Sequence, residues 1–128
     1  MSQQNETGYM TFTAAAAIAK YARVTLGSGG TITEAGLAVK EIGTATEEAF
    51  ASGDRVTVKL RSAPGTHRMI AKEAMAIGAL VYTEAGGKVQ DTAETTAFQI
   101  GHVVDTVAPT AEGDIVEVLY NNHGDTAA

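Results

Sequence analysis

The clearest strand pattern in this chain is Gly53-Asp54-Arg55-Val56-Thr57-Val58-Lys59-Leu60. Its apolar side chains, Val56, Val58 and Leu60, alternate with polar ones. This period of two predicts a half-buried β-strand that begins after a Gly-Asp turn. The same pattern returns in Gly113-Asp114-Ile115-Val116-Glu117-Val118, at an offset of 60 residues. We interpret the two stretches as copies of one turn and strand.

Three further pairs of segments match in the same order upstream of the two strands: Ile42-Gly43 with Ile100-Gly101, Gly29-Gly30-Thr31-Ile32 with Gly86-Gly87-Lys88-Val89 and, loosely, Ala22-Arg23-Val24 with Leu80-Val81-Tyr82. The order predicts two pseudo-repeated β-rich units of about 60 residues, over about 14–61 and 69–120. Since one such unit is not expected to bury a face alone, the two are expected to share one core.

The predicted fold is therefore mainly β, a compact β-barrel or β-sandwich with at most one or two short helices. Residues 14–128 are expected to form a single domain. Residues 1–13 are polar and Thr-rich, and they predict an extended N-terminal arm. Two segments, 14–19 and 69–79, are compatible with either a short helix or a strand, because their alanines favour helix but their places in the repeat favour strand.

Composition limits the classes of function. The chain has 128 residues, 14 glycines, no cysteine and no tryptophan, and its net charge is −6. The acidic balance argues against a nucleic-acid partner, which requires a basic face. No apolar run approaches the about 20 residues that span a bilayer, so no membrane partner is expected. Small side chains bury little area each, and such a domain gains stability from association with a partner.

The motifs of catalysis and cofactor binding are missing. Gly87-Lys88 is followed by Val89, so the phosphate-binding loop of ATPases is absent, and the Gly-x-Ser-x-Gly turn of hydrolases is absent too. The three histidines, His67, His102 and His123, lack the helical spacing of a zinc site. We therefore expect no enzyme, no catalytic residues, no cofactor and no metal.

Charge is distributed unevenly along the chain. The segment 55–72 contains basic residues and no acid, whereas the chain after residue 83 has Lys88 as its single basic residue among many acids. The basic residues of the first segment are Arg55, Lys59, Arg61, Arg68 and Lys72. They are candidate contacts for an acidic surface, either on a neighbouring copy or on a larger assembly. The alternative is that both segments are solvated or neutralise each other within one subunit.

The predicted arm contains three large apolar side chains, Tyr9, Met10 and Phe12. Large side chains in an otherwise small-residue protein are natural anchors for an interface. We expect the segment 7–13 to lie against a larger assembly or an adjacent subunit. The alternative is that Tyr9 and Phe12 begin the first strand of the core.

The segments from Ala35-Gly36-Leu37 to Ala63-Pro64-Gly65-Thr66, and their counterparts up to Val118, resemble a widespread family of small tailed-phage proteins. These are the head decoration, or capsid cement, proteins, some of which carry a recombinase label that the missing phosphate-binding loop contradicts here. The resemblance covers about residues 14–120 and implies a β-rich domain. It implies no catalytic residues.

The resemblance also implies a function and partners. The expected protein is a structural component of the virion that binds the outer surface of the capsid and stabilises contacts between capsomers. Its partners would be the major capsid protein and itself, as a homotrimer. The alternatives are another virion component, such as a head–tail connector or a tail or fibre-base subunit, and then a small ligand- or carbohydrate-binding β module.

Overall fold

The computed structural model describes residues 7–121 and 126–127, and the chain in these ranges is almost entirely β-strand and loop. The first unit has five strands, β1 (Tyr9–Ala14), β2 (Arg23–Leu26), β3 (Thr31–Glu34), β4 (Gly43–Ala45) and β5 (Arg55–Leu60). The second has β6 (His67–Ala71), β7 (Leu80–Thr83), β8 (Lys88–Gln90), β9 (Phe98–Val103) and β10 (Ile115–Tyr120), followed by a short β11 (Thr126–Ala127). A single 3-10 turn, Ala85–Gly87, is the one helical element among the described residues.

Each unit closes into its own five-stranded barrel. The first barrel has the order β1-β3-β2-β4-β5, and β5 pairs with β1 to close it. The second has the corresponding order β6-β8-β7-β9-β10, closed by the pairing of β10 with β6, and β11 adds to β9. In both barrels the first and third strands run parallel and all other neighbours run antiparallel. The predicted mainly β fold of two repeated units is confirmed.

The register of the strands makes the two barrels equivalent residue by residue. The pair Ala14–Ile32 of the first barrel corresponds to Ala71–Val89 of the second, at an offset of 57 residues. Gly43 pairs with Leu60, as Gly101 pairs with Tyr120, at offsets of 58 and 60. Most positions that the strand pairings connect therefore have a counterpart in the other barrel, and the exceptions include β11 and the register shift at Val81 and Tyr82.

Loop hydrogen bonds repeat as well. The amide of Gly53 donates to the carbonyl of Ala14, and the amide of Gly113 donates to that of Ala71, both at 2.8 Å. These bonds agree with the offsets that the strand register gives. The loose match in the sequence was displaced by one residue, because Arg23, not Ala22, is equivalent to Leu80.

The single shared core that the sequence suggested is wrong. One cluster of buried side chains, mostly Ala, Val and Ile, fills the first barrel, and a second cluster around Val116 and Val118 fills the other. Closing five strands on themselves removes the open edges and gives each unit an interior of its own. Such a small interior accommodates the short side chains in which this sequence is rich.

The predicted arm is corrected from Tyr9 onward. Residues 1–6 of the predicted arm lie outside the described residues, and Tyr9–Ala14 is strand β1, paired with β5 and β3. Phe12 packs against the first core, so the alternative that this segment begins the core is the correct one for it. The first barrel cannot close without β1, because β1 pairs with β3 on one side and with β5 on the other.

Neither ambiguous segment is helical. Ala14 ends β1, and the following loop is tied to the chain by a bridge between Ile18 and Ala49. Met69–Ala71 continues β6, and residues 72–79 form loops and turns. The described units therefore begin earlier than predicted, at Tyr9 and His67.

Candidate functional site

The junction between the two barrels contains a buried ion pair. Nη1 of Arg23, on β2, lies 3.1 Å from Oε1 of Glu41, and both side chains are fully buried. The same guanidinium donates to backbone carbonyl oxygens of both barrels, those of Ala35, Gly36, Val39, Glu84 and Lys88. A buried charge is tolerated only when its hydrogen bonds are made, and here the second barrel supplies two of the acceptors. Arg23 therefore fixes the turn between β7 and β8 onto the first barrel.

Tyr120 completes this junction from the last strand of the second barrel. Its hydroxyl donates to Oε2 of Glu41 at 2.6 Å. Burial raises the pKa of Tyr120 well above its usual value, and the negative charge of Glu41 raises it further. Tyr120 consequently remains a neutral donor, and Glu41 receives one bond from each barrel.

His67 lies at the same junction, at the start of β6. Its Nε2 is 2.9 Å from the carbonyl oxygen of Leu60, so this nitrogen carries the proton and donates. The ring meets the Tyr120 ring edge-on, with centroids 4.7 Å apart. Nδ1 is buried and has no hydrogen-bond partner among the described residues. Burial lowers the pKa of His67, with the positive charge of Lys59 contributing, so the folded protein holds it neutral.

A polar groove opens at the edge of the junction, with a cavity volume of about 330 Å³. Lys59 on β5 extends across it and donates from Nζ to the carbonyl oxygen of Thr66 at 2.5 Å. On the other side, Arg68 donates to the Tyr21 hydroxyl at 3.3 Å, and this contact lowers the pKa of Tyr21. Glu117, the cross-strand neighbour of Arg68, also lines the groove. The groove therefore presents two cations beside one carboxylate.

The five predicted basic contacts are brought together only in part. Lys59 and Arg68 share the groove, and Arg61 lies over the Tyr120 ring at 4.9 Å, in the loop that joins the barrels. Arg55 is exposed at the start of β5. Lys72 instead pairs with Glu112 at 3.4 Å.

Glu112 illustrates neutralisation within one subunit. Besides Lys72, Lys88 contacts it at 2.8 Å, and the two ammonium groups hold the pKa of Glu112 below its usual value. Pairing of this kind on the surface contributes little to stability. It does reduce the charge that Lys72 presents to a partner.

The three predicted apolar contacts also separate. Tyr9 and Met10 are exposed on β1, whereas Phe12 is partly buried against the first core. Tyr9 and Met10 are each exposed over about two-fifths of their surface. Phe12 contributes to packing within the barrel.

Two other kinds of site do not occur in the described ranges. These ranges contain no group of three or more His, Asp or Glu side chains placed to hold a metal ion. They also contain no helix that is long and apolar enough to cross a membrane.

The strand topology places the chain among tandem five-stranded barrels. No protein-family model and no curated protein matches the sequence. Among solved structures, it is similar to the N base of the head fiber gp8.5 of bacteriophage phi29, with a TM-score of 0.71 and 18% identity. The match covers 88% of this chain and 92% of that chain, so the two proteins share the fold over nearly their whole length.

Sequence reasoning missed the buried residues of the junction. Arg23 and Glu41 are charged, and charged side chains are usually exposed. The strand register gives a signal that the loose sequence match concealed, because Arg23 occupies a position at which the second unit has Leu80. A charged residue opposite a leucine in two copies of one unit indicates that the copies have different surroundings.

Proposed function

We propose that this chain is a structural protein of a phage virion that binds the outer surface of the head and stabilises contacts between capsomers. The observation that carries the proposal is the likeness of the tandem-barrel fold to the N base of a phage head fiber. The small-phage-protein resemblance of the sequence agrees with it. In this proposal the chain is not an enzyme, and it works by being held against a lattice.

The junction suits such a role because a buried ion pair and several hydrogen bonds hold the two barrels together, which restricts their relative motion. Arg23 and Tyr120 both bind Glu41, and His67 binds the Leu60 carbonyl across the same boundary. A rigid protein loses little conformational freedom on binding, so weak contacts at several points add up more effectively.

The proposed partners are the major capsid protein and further copies of the chain, as a homotrimer. The groove with Lys59 and Arg68 is the proposed capsid contact, since it holds two of the basic residues side by side. Arg55 is exposed and would extend this contact, whereas Arg61 and Lys72 are engaged with Tyr120 and Glu112.

A second candidate, the base of a head fiber, is favoured by the same structural likeness. The two candidates differ in whether a fiber is attached to the barrels. A decoration protein ends its function at the capsid surface, whereas a fiber base also holds a fiber. Cryo-electron microscopy of the virions that contain the chain separates them.

Many copies spread over the head with nothing attached would support decoration, and copies that carry a projecting fiber would support the fiber base. Copies confined to the tail vertex, or absence of the chain from purified virions, would contradict the proposal.

The groove is tested separately with Lys59→Gln and Arg68→Gln in one variant. We expect weaker binding to isolated heads, most clearly at low salt, because salt screens exposed charges. Lys40→Gln, an exposed lysine outside the groove, is the matched control. Equal binding by both variants would remove the groove from the contact.

A further inference from the structure

The two barrels carry the same face in two different environments. In the first barrel, the cross-strand row Arg23–Thr44–Lys59 lies beneath the second barrel, and Arg23 and Thr44 are almost fully buried. The equivalent row of the second barrel is Leu80–His102–Leu119, connected by the same pairings. No other part of the described chain covers this second row, and all three of its side chains are exposed.

Two neighbouring positions extend this uncovered surface. Ile77 is equivalent to Lys20, and Val104 is equivalent to Thr46, a lining residue of the groove. We call the set Ile77, Leu80, His102, Val104 and Leu119 the open face. Its four apolar members are each between 39 and 57% exposed.

The other half of the junction between the barrels is the edge of the second barrel that contacts the first barrel. This edge consists of Thr66, His67, Thr83 and the turn from Glu84 to Lys88. Thr66 accepts a bond from Lys59, His67 binds the Leu60 carbonyl, and the turn accepts bonds from Arg23. The Thr83 hydroxyl donates to the Leu37 carbonyl at 2.5 Å. In the first barrel the equivalent positions are Tyr9, Met10, Leu26 and the turn from Gly27 to Thr31.

We call Tyr9, Met10 and Leu26 the open edge. These side chains are between 41 and 47% exposed. At the equivalent positions the second barrel has Thr66, His67 and Thr83, each of which makes a contact with the first barrel.

At six positions an apolar side chain of the open face or the open edge replaces a polar side chain of the junction, whereas the equivalent residues Thr44 and His102 are both polar. Arg23, Thr46 and Lys59 are replaced on the open face by leucine or valine, and Thr66, His67 and Thr83 are replaced on the open edge by larger apolar side chains. Ten large apolar side chains are exposed in the described part of the chain, and seven of them lie on the open face or the open edge. Apolar residues concentrated in this way mark an interaction surface rather than scattered surface residues.

We propose that the open face of one copy binds the open edge of a second copy, so that contact between copies repeats the packing of the second barrel on the first. The occupant is a second copy because both halves of the junction occur, uncovered and apolar, on the same chain. Such a head-to-tail contact is heterologous and closes into a ring when its rotation permits. The inference rests on the self-association in the proposed function and not on binding to a capsid.

The test uses the full chain and two single variants that each damage one half of the contact. Leu119→Lys gives the open face the residue of the covered position, and Met10→Glu charges the open edge. We expect wild type to self-associate in sedimentation velocity. In each variant we expect the dissociation constant of this association to rise by about 30-fold or more, as it does when an interface hot spot is lost. Ile115→Lys is the matched control, because Ile115 is exposed on the same strand as Leu119 but lies outside the open face.

Mixing the two variants distinguishes a head-to-tail contact from a symmetric one. The Leu119→Lys copy keeps its open edge, and the Met10→Glu copy keeps its open face, so an equimolar mixture recovers association through the intact halves. In a contact that uses one patch on both partners, mixing recovers nothing. Circular dichroism establishes that each variant is folded, and Leu26→Glu replaces Met10→Glu if that variant is not.

Three results would overturn the inference. Wild type that remains monomeric up to about 1 mM is one, since this is the weak end of the affinities that specific contacts reach. Association of Leu119→Lys that equals wild type is another. The third is monomeric wild type whose binding to heads is lost in Leu119→Lys, which assigns the open face to the capsid and leaves the proposed function intact. Loss of head binding by the groove variant alone would instead concern only the capsid contact.

Discussion

The two barrels have one backbone plan, yet equivalent positions of the plan experience different surroundings. In the first barrel the second barrel covers Arg23 and Thr44 almost completely and Lys59 in part, whereas the row Leu80–His102–Leu119 in the second is exposed. The covered row is polar and makes hydrogen bonds across the junction, and the exposed row is largely apolar. The inner side chains that let the strands form are similar in the two barrels, whereas the outer side chains differ with what packs against them.

The largest expected loss of stability comes from substituting the equivalent glycines Gly43 and Gly101, and it tests whether the two barrels have the same backbone packing. An alanine at Gly43 would place its Cβ 2.2 Å from the Lys59 carbonyl oxygen, and one at Gly101 would place it 2.0 Å from that of Leu119. Since backbone cannot yield easily, we expect each of Gly43→Ala and Gly101→Ala to cost about 5 kcal/mol of unfolding free energy. Chemical denaturation measures both, and Gly29→Ala, in an exposed turn with nothing within 4 Å, is the control. A mild effect at one site alone would break the equivalence of the barrels there.

The second largest effect is expected when the equivalent residues Arg23 and Leu80 are each replaced by the other. Arg23→Leu leaves Glu41 buried without its cation and removes the guanidinium from five backbone carbonyl oxygens, so we expect a loss of about 3–5 kcal/mol. The reciprocal Leu80→Arg changes an exposed position and should stay within about 0.5 kcal/mol. Denaturation at low protein concentration measures both without assembly. Similar costs for the two would mean that the rows do not differ as described.

The third effect concerns the bond that the second barrel gives to Glu41. Tyr120→Phe removes the hydroxyl that lies 2.6 Å from the Glu41 carboxylate. Because a hydrogen bond to a charged group is lost in a buried site, we expect a cost of about 1.5–3 kcal/mol. Thermal unfolding followed by circular dichroism measures it. An unchanged melting temperature would show that Glu41 does not depend on the second barrel.

The smallest effect is a pH dependence that originates at the junction. Burial lowers the pKa of His67 in the folded protein, so the unfolded chain binds a proton more readily. The free energy of unfolding should therefore fall as pH drops below about 6.5, the usual pKa of histidine, until the folded-state pKa is reached. Carboxylates such as Glu112, whose pKa is below its usual value, contribute only at lower pH.

His67→Gln should flatten this part of the stability curve, whereas His102→Gln, which changes an exposed histidine of the same sheet, should not. Denaturation curves between neutral pH and the carboxylate range provide the measurement. A His67→Gln variant with the wild-type slope would assign the dependence to other groups.

Much of the fold was predictable because it depends on local patterns. Alternation in Arg55–Leu60 and Ile115–Tyr120 predicted two strands correctly, and the Gly-Asp turns before them predicted the repeat. The early part of the chain was misjudged, because Tyr9–Ala14 has exposed and partly buried residues in no clean alternation. Its strand is stabilised by β5, which lies far away in sequence.

Residue type alone predicted the exposure of the candidate contacts only in part. Large size predicts an interface role for Tyr9, Met10 and Phe12 alike, and of these Tyr9 and Met10 are exposed whereas Phe12 packs inward. The run of basic residues predicted a positive surface, yet Lys72 meets Glu112, a residue 40 positions further along the chain. The sequence does not show that the charge of Lys72 is neutralised, because the two residues come together only when the chain folds.

Two copies of a β-rich unit can be predicted from residue order alone, since alternation and turn chemistry act within a few residues of the backbone. The separate closure of the copies, and the covering of one outer face but not of its equivalent, appear first in the folded molecule. Strand periodicity specifies an inner and an outer side but carries no information on what packs against the outer side. That contact depends on residues such as Arg23 and Glu84, which come together only after both barrels have formed.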